Sequence, residues 1–75
     1  MTVYSLVYLS MDRDELMEAL RTAVDLEQKM YDLYKRIAEE AMDEDLSEFF
    51  GFMAHEEFSH LSTITDKYEK LVNAS

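Results

Sequence analysis

The sequence contains no cysteine, no proline and no tryptophan, and only one glycine, Gly51, in 75 residues. The absence of cysteine excludes disulfides, thiolate zinc sites and iron–sulfur ligation, so any metal ligand must be an oxygen or an imidazole nitrogen. Without proline, nothing forces a break inside a periodic helical segment. The apolar run at residues 3–9 is much shorter than the about 20 residues that cross a bilayer, and it lacks the basic flank of a signal peptide. We therefore expect a cytoplasmic protein with no membrane partner.

The charge of the chain is strongly one-sided. Seventeen acidic residues against seven basic ones give a formal net charge of −10. A nucleic-acid partner is not expected, because binding to a phosphate backbone requires clustered Lys and Arg side chains. An acidic surface favours cations instead. A single domain spanning residues 1–75 buries only about 60% of its unfolded surface, so we also expect stabilisation by a partner or a metal.

Two long amphipathic segments predict an all-α fold. Helix one is predicted at residues 13–41, with Asp12 and Glu15 forming a capping box at its start. The acidic connection 42–45 offers Asp43 or Asp45 as the cap of helix two, predicted at 45–72. Residues 1–11 form an N-terminal arm that either packs on the end of the helices or joins dimers into a larger assembly.

Each predicted helix has an apolar face that is interrupted at its centre by ionisable residues. In helix one the interruption is Glu27, and in helix two it is Glu57 and His60. The apolar positions recur at steps of three and four, as amphipathic helices require. On helix one the face comprises Leu16, Leu20, Ala23, Glu27, Met30, Tyr34, Ile37 and Ala41. On helix two it comprises Leu46, Phe49, Phe50, Met53, Glu57, His60, Leu61, Ile64, Tyr68 and Leu71.

An antiparallel hairpin brings these interruptions together. Glu27 is about as far before the connection as Glu57 and His60 are after it, so the three side chains should lie level. Glu57 and His60 are three residues apart, hence about 4.5 Å apart along the helix axis on one face. Burying such groups costs several kcal/mol unless they are paired or bound to a metal. The pattern therefore predicts three converging metal ligands.

Two helices cannot bury both apolar faces by themselves, so we expect a homodimer or higher homo-oligomer built on a four-helix bundle. Three ligands in one chain could also hold a single zinc ion with an open position. Doubling the chain gives the ligand set of ferritin-like di-iron and di-manganese carboxylate proteins: one Glu from each of two helices and Glu-x-x-His from each of the other two.

The series Glu27, Tyr34, Phe49–Phe50 and 55–60 (His-Glu-Glu-Phe-Ser-His) resembles the rubrerythrin group of the ferritin-like proteins, and within it the single-hairpin encapsulated ferritins. The resemblance implies a di-iron centre shared by two chains, with two iron ions per dimer and Glu27, Glu57 and His60 as ligands. It implies oxidation of ferrous iron with O₂ or peroxide, as in a ferroxidase or peroxidase-like oxidoreductase. Tyr34 matches a tyrosine that the family keeps near the centre, where it could hydrogen-bond a ligand or pass an electron.

Several alternatives stay open. Manganese or zinc could replace iron. Glu56 is a further candidate for the metal or its entry path, whereas His55, on the opposite face, should be exposed. Rubrerythrins proper carry a cysteine-bound iron that delivers electrons, so this chain would need an external electron donor. The alternative function is a helical homo-oligomeric assembly module with a purely structural metal or none, although leucine at these positions would make such a module more stable.

Overall fold

A computed structural model describes residues 11–74 as an antiparallel pair of helices. Helix α1 spans Arg13–Glu40 and helix α2 spans Glu44–Val72. Each bound lies within one residue of the predicted one, and the all-α hairpin is confirmed. Residues 1–10, which make up most of the predicted N-terminal arm, lie outside the described residues. In the part of the chain that is described, no helix is long and apolar enough to cross a membrane.

Local sequence fixes where both helices begin. At the start of α1, the Glu15 amide donates to Asp12 Oδ1 at 2.8 Å and the Asp12 amide donates to Glu15 Oε1 at 3.3 Å. This is the predicted capping box, in which two otherwise unpaired amides are satisfied reciprocally. At the start of α2, Asp43 is the cap and its Oδ1 accepts from the Leu46 amide at 3.0 Å. The chain therefore reverses direction in the three residues between Glu40 and Glu44.

The two helices meet along a seam of half-buried positions that alternate in steps of three and four. This spacing places one row of side chains per helix against its neighbour, as in an antiparallel coiled coil. Ala54 is the one buried residue among those described, with 7% of its surface exposed. On α1 and the residue that caps its C-terminus, the seam comprises Met17, Leu20, Val24, Glu27, Tyr31, Tyr34, Ala38 and Ala41. On α2 it comprises Ser47, Phe50, Ala54, Glu57, Leu61, Ile64, Tyr68 and Leu71.

Contacts at the two ends of the hairpin fix the register of the seam. At the open end, Arg13 Nη2 donates to the Leu71 carbonyl at 2.8 Å. At the turn end, Ser47 Oγ donates to the Ala38 carbonyl at 2.5 Å. These contacts leave Glu27 and Glu57 level with each other near the middle of their helices.

Much of the predicted inward face remains exposed in a single hairpin. Leu16 is 39% exposed, Met30 37%, Leu46 50% and Phe49 53%. These residues lie beside the seam rather than in it. Because an amphipathic helix must bury its apolar face against another layer, one hairpin does not complete a core.

Candidate metal centre

Glu27, Glu57 and His60 come together in the middle of the hairpin, as the sequence predicts. Each offers a ligand atom, and these atoms all lie within 4.8 Å of one another. His60 Nδ1 is 4.0 Å from Glu27 Oε2 and 3.9 Å from Glu57 Oε1. The helical step of three residues brings His60 beside Glu57, while the pairing of α1 with α2 supplies Glu27.

These distances are too long for hydrogen bonds, which join heavy atoms at about 2.7–3.2 Å. They suit atoms that share an ion. Carboxylate oxygens and imidazole nitrogens bind zinc-like metals at about 2.0–2.2 Å, so two ligands of one ion lie roughly 3–4 Å apart, depending on the angle at the metal. The separations of His60 from both carboxylates fall in this range. The arrangement therefore has room for a cation between the three side chains.

The two carboxylates are shielded from water but incompletely paired. The Glu57 side chain is 12% exposed and that of Glu27 is 30% exposed, whereas the His60 side chain is 60% exposed. Oε2 of each glutamate is out of contact with solvent and accepts no hydrogen bond from any residue in the described range 11–74. A buried carboxylate oxygen without a donor is costly, and a bound cation would remove that cost. The donor set therefore fits a metal.

The electrostatics of the pair also favour a positive charge between the carboxylates. The pKa of Glu57 is raised above its ordinary value of 4.5. The largest cause is the side-chain hydrogen bond with Glu27, which requires a proton shared between the two carboxyl groups. Removal from water and the negative charge of Glu27 act in the same direction, while His60 lowers the pKa. A proton shared by the two carboxyl groups therefore neutralises part of the negative charge that a bound cation would neutralise.

The other predicted residues lie outside this group. Glu56 is half-buried but contributes no atom to the cluster. Tyr34 is half-buried in the seam and packs on Phe50, with ring centroids 5.5 Å apart. His55 is exposed, as predicted from its place on the far face of α2. The metal roles of Glu56 and Tyr34 remain predictions.

A cavity of about 310 Å³ extends from Glu27 and His60 toward the open end of the hairpin. Thr63, Ile64 and Lys67 form the rest of its lining. Thr63 and Lys67 were not predicted from the sequence. Their signal is positional, since they follow His60 by three and seven residues and therefore share its face of α2.

Comparison with known proteins gives one match. The family model for rubrerythrin matches residues 4–69, which include both helices almost entirely and all three clustered side chains. No curated protein and no solved structure matches the chain.

Proposed function

Because this chain belongs to the rubrerythrin family, we propose that it is a di-iron protein that oxidises ferrous iron with O₂ or peroxide. The family match supports iron binding in general and a ferritin-like fold. In our proposal the metal centre is shared by two chains, each of which contributes Glu27, Glu57 and His60.

The observation that carries this proposal is the pair of shielded carboxylates in the seam. Glu27 and Glu57 occupy positions where leucine would pack, and each leaves one oxygen without a donor. His60 adds a nitrogen donor within 4.0 Å of both. Two carboxylates and one imidazole per chain suit iron, since oxygen and nitrogen ligands accommodate both its ferrous and ferric states.

A second copy would complete the site. The exposed side chain of His60 and the exposed apolar residues Leu16, Met30 and Phe49 all belong to the predicted inward face. Pairing two hairpins through this face would bury the apolar side chains and bring two ligand sets together. Because Glu27 and Glu57 lie near the middle of their helices, a twofold axis through the centre leaves all four helices overlapping along their full length.

The chain's own groups have separate roles in this proposal. Glu27 and Glu57 would hold the metal through their carboxylates, and His60 would hold it through an imidazole nitrogen. The surrounding seam shields the two carboxylates from water, which strengthens their electrostatic contacts. When bound, a pair of iron ions supplies one electron each, the two that reduce peroxide to water. With no cysteine in the chain, an external donor must return electrons to the centre.

Metal analysis of protein purified without chelator or affinity tag tests the proposal. We expect about one iron per chain after growth with ample iron. We also expect anaerobic protein loaded with ferrous iron to oxidise it faster than buffer does when O₂ or peroxide is added. Iron near zero per chain would favour the assembly module, and iron without accelerated oxidation would favour a structural metal.

Sedimentation at low micromolar concentration tests the shared centre separately. We expect the smallest folded, metal-loaded species to be a dimer. A folded monomer that retains its metal would contradict sharing between chains, although iron binding itself would stand.

A further inference from the structure

The turn end of the hairpin exposes a group of apolar residues on the side of the seam where His60 lies. Leu46 and Phe49 precede His60 by fourteen and eleven residues, so the three lie within about 60° of one another around α2. Met42, in the turn, is fully exposed, and Leu33 is about half exposed. We call the group the turn patch, and its members are Leu33, Met42, Leu46 and Phe49. A cavity of about 310 Å³ adjoins it, lined by Leu33, Arg36, Ile37, Glu40 and Ala41. Exposed apolar groups of this kind mark interaction surfaces.

A row of apolar residues on α1 indicates how a second copy would stack on this side. Its members recur every seven residues and are Leu16, Ala23, Met30 and Ile37. The row is symmetric about the bond between positions 26 and 27, beside Glu27. An antiparallel stack about a twofold axis there would place Ile37 against Leu16 of the partner subunit and Met30 against Ala23 of the partner subunit. The turn end of each hairpin would then lie over the open end of the other.

The corresponding row on α2 does not match itself in this stack. It is apolar toward the turn, at Leu46 and Phe49, but carries Lys67 and Lys70 toward the open end. These residues are symmetric about position 58, between the ligands Glu57 and His60. Phe49 would therefore be level with Lys67 of the partner subunit, and Leu46 would be level with Lys70 of the partner subunit. The helices of a second copy thus bring ammonium groups to the turn patch rather than an apolar cover.

Residues 1–10 of the partner subunit would supply the missing cover. Met42 would be level with Asp12 of the partner subunit, where that segment joins α1. The segment has no charged side chain, and seven of its ten residues are apolar or aromatic. The family match includes residues 4–10, so these residues belong to the matched domain. Ten residues span at most about 33 Å, whereas Phe49 lies only about 10 Å further along the stack than Met42.

We propose that residues 1–10 of each chain bind the turn patch of the partner subunit. Their apolar side chains cover Met42, Leu46 and Phe49, and one of them fills the cavity beside Leu33. The same residues do not reach the turn of their own chain, because α1, with 28 residues, separates the two by about 42 Å. This binding rests on the proposed function for the stacking of two hairpins, and it adds two contacts to each dimer.

The absence of cysteine allows a direct test by disulfide trapping. The double variant Ser10→Cys, Met42→Cys has one thiol in the segment and one in the turn patch, and a disulfide forms only where the Cα atoms approach within about 7 Å. We expect the protein as purified, at low micromolar concentration, to give a covalent dimer on a non-reducing gel after mild oxidation. The matched control is Ser10→Cys, Ser59→Cys, whose second thiol is exposed on the side of α2 away from the seam. It should remain a monomer on the gel.

Met42→Ser measures what the contact contributes to dimer affinity. Because Met42 is fully exposed in the single hairpin, this change should leave the hairpin itself intact. We expect the dissociation constant of the dimer to rise about tenfold, as for the loss of one buried apolar side chain. In a variant that lacks residues 2–9, Met42→Ser should have no further effect, since its contact is already absent. Sedimentation over a concentration series measures the constants, and helical circular dichroism shows that each variant folds.

The outcomes separate this contact from the metal chemistry, because iron content is measured on the same preparations. A dimer that binds iron but gives no more covalent product than the Ser59 control would overturn the contact and leave the proposed function standing. A covalent dimer without iron would support the contact and count against the proposed function. Covalent products larger than a dimer would overturn the proposal, since the segment would then bind a copy outside the pair. Equal effects of Met42→Ser with and without residues 2–9, or a monomeric parent protein, would overturn it as well.

Discussion

The turn end and the middle of the hairpin differ in whether their polar groups find hydrogen-bond partners within the chain. At the turn, Asp43 caps α2, and Ser47 donates to the Ala38 carbonyl. In the middle, the seam positions of Glu27 and Glu57 hold two carboxylates, each with one oxygen left without a donor. The polar groups at the turn are therefore hydrogen-bonded within the chain, whereas the middle leaves two carboxylate oxygens that a bound cation would satisfy.

The difference shows where stability is given up. Replacing buried charged groups with apolar residues of similar volume is often neutral or stabilising. A hairpin selected only for packing would thus have leucine at positions 27 and 57. Glu27 and Glu57 instead lie at one level of the seam with His60 beside them. A binding site requires such a cluster of polar groups.

The largest effect is expected from Glu57→Leu, which converts the middle of the seam into an ordinary apolar core. Metal binding should fall from about one iron per chain to near zero. The free energy of unfolding of the metal-free protein should rise by about 1–4 kcal/mol, because a shielded charge is removed. Metal analysis and thermal unfolding of the same preparation measure both. Unchanged iron content would exclude Glu57 as a ligand. The middle of the seam would then no longer differ from the turn by binding a metal through this residue.

The two histidines test whether the chemistry belongs to one face of α2. His60→Ala should reduce the ferrous oxidation rate, measured above that of buffer, by at least about tenfold, since removal of even an outer partner of a metal site has this effect. His55→Ala is the matched control on the other face and should leave the rate nearly unchanged. Stopped-flow absorbance on anaerobically loaded protein measures this. Equal losses would point to general destabilisation.

The pH dependence of stability should distinguish the middle from the rest of the hairpin. The pKa of Glu57 is raised, so the folded chain holds this proton more tightly than the unfolded chain does. The stabilisation is complete below the ordinary pKa of 4.5 and is lost as pH rises through the folded pKa. Metal-free parent protein should therefore lose stability relative to Glu57→Gln between pH 4.5 and neutrality. Metal affinity should change in the opposite sense, because protons compete with the metal at low pH.

Chemical denaturation of the two proteins at a series of pH values measures this difference. Comparison of the variant with the parent cancels the contribution of the other acidic groups. A difference that stays constant across the range would mean that Glu57 titrates as an ordinary exposed carboxyl.

The smallest effect is expected at the turn. Asp43→Ala should lower the free energy of unfolding by about 1 kcal/mol, because the Leu46 amide loses its acceptor. Asp43→Asn is the control, since asparagine caps equally well without the charge. Neither change should alter iron content. A loss of metal in Asp43→Asn would show that the acidic turn takes part in metal uptake.

The elements and their ends were predictable because their causes are local. The capping box of Asp12 and Glu15 involves residues three apart, and the cap at Asp43 follows the same rule. The level of Glu27 with Glu57 was also predictable, since a short connection between two uninterrupted helices fixes their register. The cavity beside His60 was not, because it depends on which side of the seam faces solvent.

By itself the sequence determined two helices, their caps, and the height at which three ionisable side chains would meet, since helical periodicity and chain connectivity suffice for these. Only the tertiary structure decided that Glu27 and Glu57 share the seam while His60 lies at its edge. The reason is that the rotation of each helix about its own axis is set by how the two helices pack. Small rotations decide which neighbours of a periodic apolar face enter the seam and which remain in contact with water.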